Sequence, residues 1–96
     1  MNTDKMLAGL SMDLARVSMG YRRGSDKMAD RFCDEARARC MELRDAELQS
    51  HVQKIIVEIL HVMEGSDKMA IAEKSLMYSK LIQNYVTHGS LEDQVN

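Results

Sequence analysis

The chain has no proline and no tryptophan, and its aromatics number only three tyrosines and one phenylalanine: Tyr21, Tyr78, Tyr85 and Phe32. No long apolar run is present, which excludes a transmembrane helix. No charge of one sign dominates. Thirteen Lys and Arg stand against fifteen Asp and Glu, for a net charge of −2, so there is no broad pull toward nucleic acid or an anionic membrane. The first twenty residues lack the charged-then-apolar layout of a secretory signal, since Asp13 and Arg16 interrupt it. The expected compartment is the cytoplasm.

What replaces the aromatics is methionine, nine in all among 96 residues. A chain of this length makes one domain, near the small end of what folds alone, and residues 1–96 are read as one helical domain. Methionine packs well but specifies geometry poorly. Such a core is adaptable, and a second chain is a natural way to complete it.

The five glycines are Gly9, Gly20, Gly24, Gly65 and Gly89, and four of them fall where periodic patterns stop. Leu7, Leu10, Leu14, Val17 and Tyr21 step by three and four, making the apolar face of a first helix. Ala29, Cys33, Ala36, Cys40 and Leu43 repeat at heptad-like spacing with small side chains. Leu48, Val52, Ile55, Ile59 and Val62 follow, but the step from Leu43 to Leu48 is five. That slip predicts either one long, bent middle helix or a split near Asp45, with Asp45 as cap of a new helix. Ile71, Tyr78, Ile82 and Tyr85 form the last face, and His88 and Gly89 read as a helix end. The polar tail, residues 90–96, is expected to fray.

The hexapeptide GSDKMA occurs twice, at Gly24–Ala29 and Gly65–Ala70, with a shorter relative, TDKM, at Thr3–Met6. A duplication would continue beyond the hexamer, yet Asp30–Cys40 and Ile71–Leu81 share no identity in register. A phosphate loop would need several glycines. The segment reads as helix-start chemistry. Thr3, Ser25 and Ser66 can accept an orphan backbone N–H, the following Asp sits at the positive end of the helix dipole, and the Met opens the apolar face.

Cys33 and Cys40 share a helix face but are roughly 10 Å apart at 1.5 Å per residue, beyond the reach of about 7 Å between Cα atoms that a disulfide needs. Both read as buried free thiols. His51, Lys54, Glu58 and His61 make a second stripe, read as a solvated face with a Lys54–Glu58 ion pair. Glu58-x-x-His61 resembles half of the motif of di-metal carboxylate four-helix bundles. Those sites need two such motifs and two more carboxylates, so no metal ligands and no cofactor are expected. His51-Val52-Gln53-Lys54 is similar to the His-x-x-Lys core of histidine phosphotransfer domains. That resemblance implies a phosphoryl group on His51 with Lys54 steadying its charge, although Ile55 stands where the family has a small residue, usually Gly.

Carboxylates fall on polar helix faces laced with cations, such as Arg31–Glu35 and Glu35–Arg39, and no catalytic residue is expected. Arg22, Arg23 and Lys27 form the main basic cluster. They would serve a DNA-binding regulator in which Gly20–Ser25 is the turn of a helix-turn-helix. KIIVEILHVMEGSDKM, Lys54 to Met69, loosely resembles a stretch of the small enteric regulators tied to biofilm and acid resistance. That resemblance implies a dimeric regulatory protein and assigns no functional residue.

Together these readings predict an all-α bundle of three main helices, non-enzymatic, acting through protein–protein contact as a regulator, adaptor or chaperone. A homodimer is expected, with a seam of Phe32, Cys33, Ala36, Cys40 and Leu43. Gly9, beside Ala8 and Met12, offers a second point of close helix approach. DNA binding is the alternative, followed by phosphotransfer through His51.

Overall fold

The two copies of GSDKMA start helices in two different ways. In the computed structural model, which describes residues 2–89, Gly24 adopts φ 75° after the first helix. The Ser25 amide donates to Gly20 O at 2.8 Å and the Gly24 amide to Tyr21 O at 3.2 Å, the paired bonds of a Schellman motif. Ser25 then caps the next helix, its hydroxyl accepting from the Met28 amide. At the second copy Gly65 keeps φ negative. The chain runs two residues further, and Asp67, not Ser66, is the cap, accepting from the Ala70 amide at 3.1 Å. At the first helix Asn2 is the cap, accepting from the Lys5 amide, while Thr3 is already helical.

These boundaries give four helices: α1 (Thr3–Arg22), α2 (Asp26–Arg44), α3 (Ser50–Met63) and α4 (Lys68–His88). The expected middle helix is therefore split. Asp45 closes α2 as its C-cap and does not open α3, whose N-cap is Gln49 with no side-chain bond. The five-residue step between Leu43 and Leu48 is the physical cause. It would turn the apolar stripe off the core if the helix ran on. The five-residue link lets Val52, Ile56, Ile59 and Met63 face inward. Gly89, at φ 74°, ends α4 with its amide on Tyr85 O. The tail expected to fray lies outside the described residues.

The helices form a ring in chain order: α1 packs on α2 and α4, and α3 closes the ring between them. Leu7, Leu10, Leu14, Val17, Leu43, Val52, Ile56, Ile59 and Ile82 fill the centre. α1 and α2 run antiparallel along their whole length, since Gly9 abuts Arg39 at one end and Gly20 abuts Ala29 at the other. A Cβ at Gly20 would stand 2.7 Å from Ala29 N and 2.9 Å from Ala29 Cα, so the backbones touch where only glycine fits. A helix-turn-helix pair crosses at about 90–120°, and α1 and α2 do not.

The expected seam is largely internal. Cys33, Ala36, Cys40 and Leu43 are buried against the chain's own helices, and only Phe32 reaches the surface, half-buried beneath Arg16 and Arg31 at 5.1 and 5.3 Å. A seam on that face was inferred from a middle helix too long for one chain to cover. The chain's own α1 and α3 pack on α2 and supply the cover.

Candidate functional site

α1 and α4 are drawn together by small side chains. Ser11 and Ser18 on α1 and Ala72, Ser75 and Ser79 on α4 are all buried. Ser11 Oγ donates to Ser79 O at 2.8 Å, and Ser79 Oγ donates to Ser11 O at 2.7 Å. Ser75 Oγ is buried without a hydrogen-bond partner among the described residues.

Beside this seam the surface is a shallow groove. One part, about 310 Å³, is walled by Ala8, Met12, Ala15, Gln83, Val86 and Thr87, with Ser11 and Ser79 also lining it. A second, about 390 Å³, is lined by Ala15, Ser18, Met19, Leu76, Arg22 and Arg23. Ala15 lines both, so the two adjoin along the α1–α4 seam. On α1 the wall is Ala8, Met12, Ala15 and Met19, stepping four, three and four, the spacing of a helix seam. Its methionines face solvent, Met12 at 54% and Met19 at 40% exposure. Unbranched and polarisable, methionine refits to varied partners and is over-used on promiscuous binding surfaces.

On the other side of α1 sits a charge clamp. Asp13 is 4% exposed and accepts from Arg39 Nε at 2.7 Å. Gly9 makes this possible: a Cβ there would overlap the Arg39 guanidinium, standing 2.7 Å from its Cζ. Burial raises the Asp13 carboxyl above its ordinary value, against the lowering pull of Arg39. This Gly9–Arg39 contact is the close approach that the sequence offered to another helix, and the chain's own α2 occupies it.

The sequence-predicted residues are scattered. Arg22, Arg23 and Lys27 are exposed around the α1–α2 turn, with Arg22 Nε donating to Ser18 Oγ at 3.2 Å. Asp26, in the same turn, is paired with Lys68 of the second hexapeptide. His51 and Lys54 are exposed on α3, and His51 stands edge-on to Tyr85 at 6.3 Å. Glu58 accepts from Tyr78 OH at 3.2 Å, and no Lys54–Glu58 pair forms among the described residues. The Arg31–Glu35 and Glu35–Arg39 pairs likewise do not form; Arg39 turns inward to Asp13, and Arg37 pairs with Asp34 at 3.1 Å. Among the described residues, no three His, Cys, Asp or Glu side chains converge as a metal ligand set.

Burial raises both thiols, and Cys40 is pushed up to about 12, so both are protonated at neutral pH. No described helix is long and apolar enough to cross a membrane. The sequence reading missed the groove because its wall is made of alanine, serine and methionine, residues that also fill cores. The signal was available in Ala8, Ser11, Ala15 and Ser18 on α1 and Ala72, Ser75 and Ser79 on α4, small residues at steps of three and four where two helices touch. Comparison with protein-family models, curated proteins and solved structures gives no match.

Proposed function

We propose that this chain is a non-enzymatic helical protein that acts by binding another protein, as a regulator, adaptor or chaperone, through the groove between α1 and α4. The observation that carries this reading is the solvent-facing stripe Ala8, Met12, Ala15 and Met19, set at helix-seam spacing above a fixed floor. An apolar groove between two helices is the usual receptor for an amphipathic helix. Met12→Asp and Met19→Asp test it. Both side chains are exposed, so the fold should survive with an unchanged helical spectrum, while partner binding falls. Retained partner binding in both variants would contradict the reading.

A homodimer is the second reading, supported by the same apolar stripe. Solution mass by light scattering across a concentration series decides it. A monomer at micromolar concentration would end it. The DNA-binding alternative rests on the exposure of Arg22, Arg23 and Lys27 and predicts salt-dependent duplex binding that their replacement weakens.

A further inference from the structure

We propose that the α1–α4 groove takes one amphipathic helix of about four turns from a partner protein, with carboxylates at the end that lies over Arg22 and Arg23. This rests on the protein-binding reading above and adds the partner's charge and length.

Charge comes first. Of the described residues lining the two parts of the groove, only Arg22 and Arg23 are charged. Neither is in an ion pair among the described residues, and Arg22 Nε is held beside the groove by Ser18 Oγ at 3.2 Å. The chain as a whole carries −2, so this cationic end runs against the overall balance. A carboxylate placed over paired guanidiniums makes charge-assisted, often bidentate bonds.

Length is set by the wall. From Ala8 to Arg22 the α1 face extends about 21 Å at 1.5 Å per residue, the length of a helix of about 14 residues. The heptad-like step of the wall suits a partner whose apolar residues recur every three and four positions.

A second copy fits less well. A two-fold axis through the groove sets each arginine pair either against the other pair or against the far end, lined by Ala8, Val86 and Thr87, where no carboxylate among the described residues lines the groove. A nucleic acid duplex presents phosphates but no apolar ridge to cover Met12 and Met19.

The test uses the whole chain and three fluorescent probes read by anisotropy at low salt. The first is a 14-residue peptide with leucines on one helical face and three glutamates in one terminal turn. The second is the same peptide with lysines in place of the glutamates. The third is a short DNA duplex. The expected result is that the acidic peptide binds, and that the double variant Arg22→Glu, Arg23→Glu weakens it about tenfold or more while improving the lysine peptide. Met19→Asp should weaken both peptides. Circular dichroism checks that the variants, all at exposed positions, remain folded. Equal binding of the acidic and lysine peptides, lost in Met19→Asp, overturns the charge assignment and leaves the docking groove standing. Failure of both peptides to bind overturns the charge assignment and the groove together, as does duplex binding that the arginine variant abolishes. A groove-centred dimer, dissociated by Met19→Asp, overturns the partner helix in favour of a second copy.

Discussion

Ser11 and Ser79 each give their hydroxyl proton to the other's backbone carbonyl, at 2.8 and 2.7 Å, with the two oxygens 3.2 Å apart. The pair lies at the middle of the α1–α4 contact and forms part of the floor of the groove. The two hydroxyls also lie within hydrogen-bond distance of each other, so the bonds form one buried group. Ser11→Ala and Ser79→Ala are expected to cost about 1 kcal/mol each. Because the two side chains touch, the double variant should depart from the sum by about 0.5 kcal/mol or more. Urea unfolding of the four proteins measures this, and a double variant that equals the sum would mean that the hydroxyls act separately. Ser79→Leu, by contrast, overfills the contact and is expected to cost about 2 kcal/mol.

Gly9→Ala has a sign that depends on Arg39. Alanine raises helix propensity by about 1 kcal/mol over glycine, but its Cβ overlaps the Arg39 guanidinium and would push it off Asp13. Leaving a buried carboxylate without its partner costs about 1–3 kcal/mol, so the variant is destabilised in the native background. With Arg39→Ala already in place, Gly9→Ala should become stabilising. Thermal unfolding of the two pairs reads the reversal, and the same sign in both backgrounds would refute the clamp.

Asp13 also sets a pH trend. Its folded carboxyl sits above its ordinary 3.8, chiefly through burial, so the folded chain holds this proton to higher pH than the unfolded chain. Between the two values the folded state binds more protons. Stability contributed by this group is therefore present at low pH and falls as pH rises through that window. Asp13→Asn removes the trend, so the variant should gain on the native chain as pH rises from about 3.5 to 7. Urea unfolding at both ends measures the difference. A variant that loses ground over that range would show that Arg39 outweighs burial.

The cysteines should react in order. Cys33 is 6% exposed and Cys40 is fully covered, with its thiol pushed up to about 12. Alkylation near pH 8 should label Cys33 first and Cys40 only as the chain unfolds. Mass spectrometry of timed digests reports the order, and early labelling at Cys40 would contradict its place in the core.

Much of the fold was legible in hydrophobic spacing. The faces at Leu7–Tyr21, Ala29–Leu43 and Ile71–Tyr85 became α1, α2 and α4, and the slip after Leu43 marked the break, with α3 on its far side. What the spacing does not carry is a choice between cover from another chain and cover from its own. Cys33, Ala36 and Cys40 look like a seam until α1 and α3 pack over α2. The hexapeptide has the same limit. Ser25 caps one copy and Asp67 the other because the helix before the first ends in a Schellman turn and the helix before the second does not, and six residues hold no record of that. The groove was less legible still: Met12 and Met19 lie on the outward face of α1, next to the Gly9 and Asp13 side that meets α2, and only the packing of α2 and α4 leaves them uncovered.

The most direct test of the account is a chemical-shift map of the ¹⁵N-labelled chain titrated with the acidic amphipathic peptide. The account predicts shifts confined to the α1 and α4 walls, at Ala8, Met12, Ala15, Met19, Arg22 and Arg23 and across Leu76–Thr87, with His51 and Val57 on α3 unmoved. Shifts centred on α2 and α3, or none at saturating peptide, would contradict it.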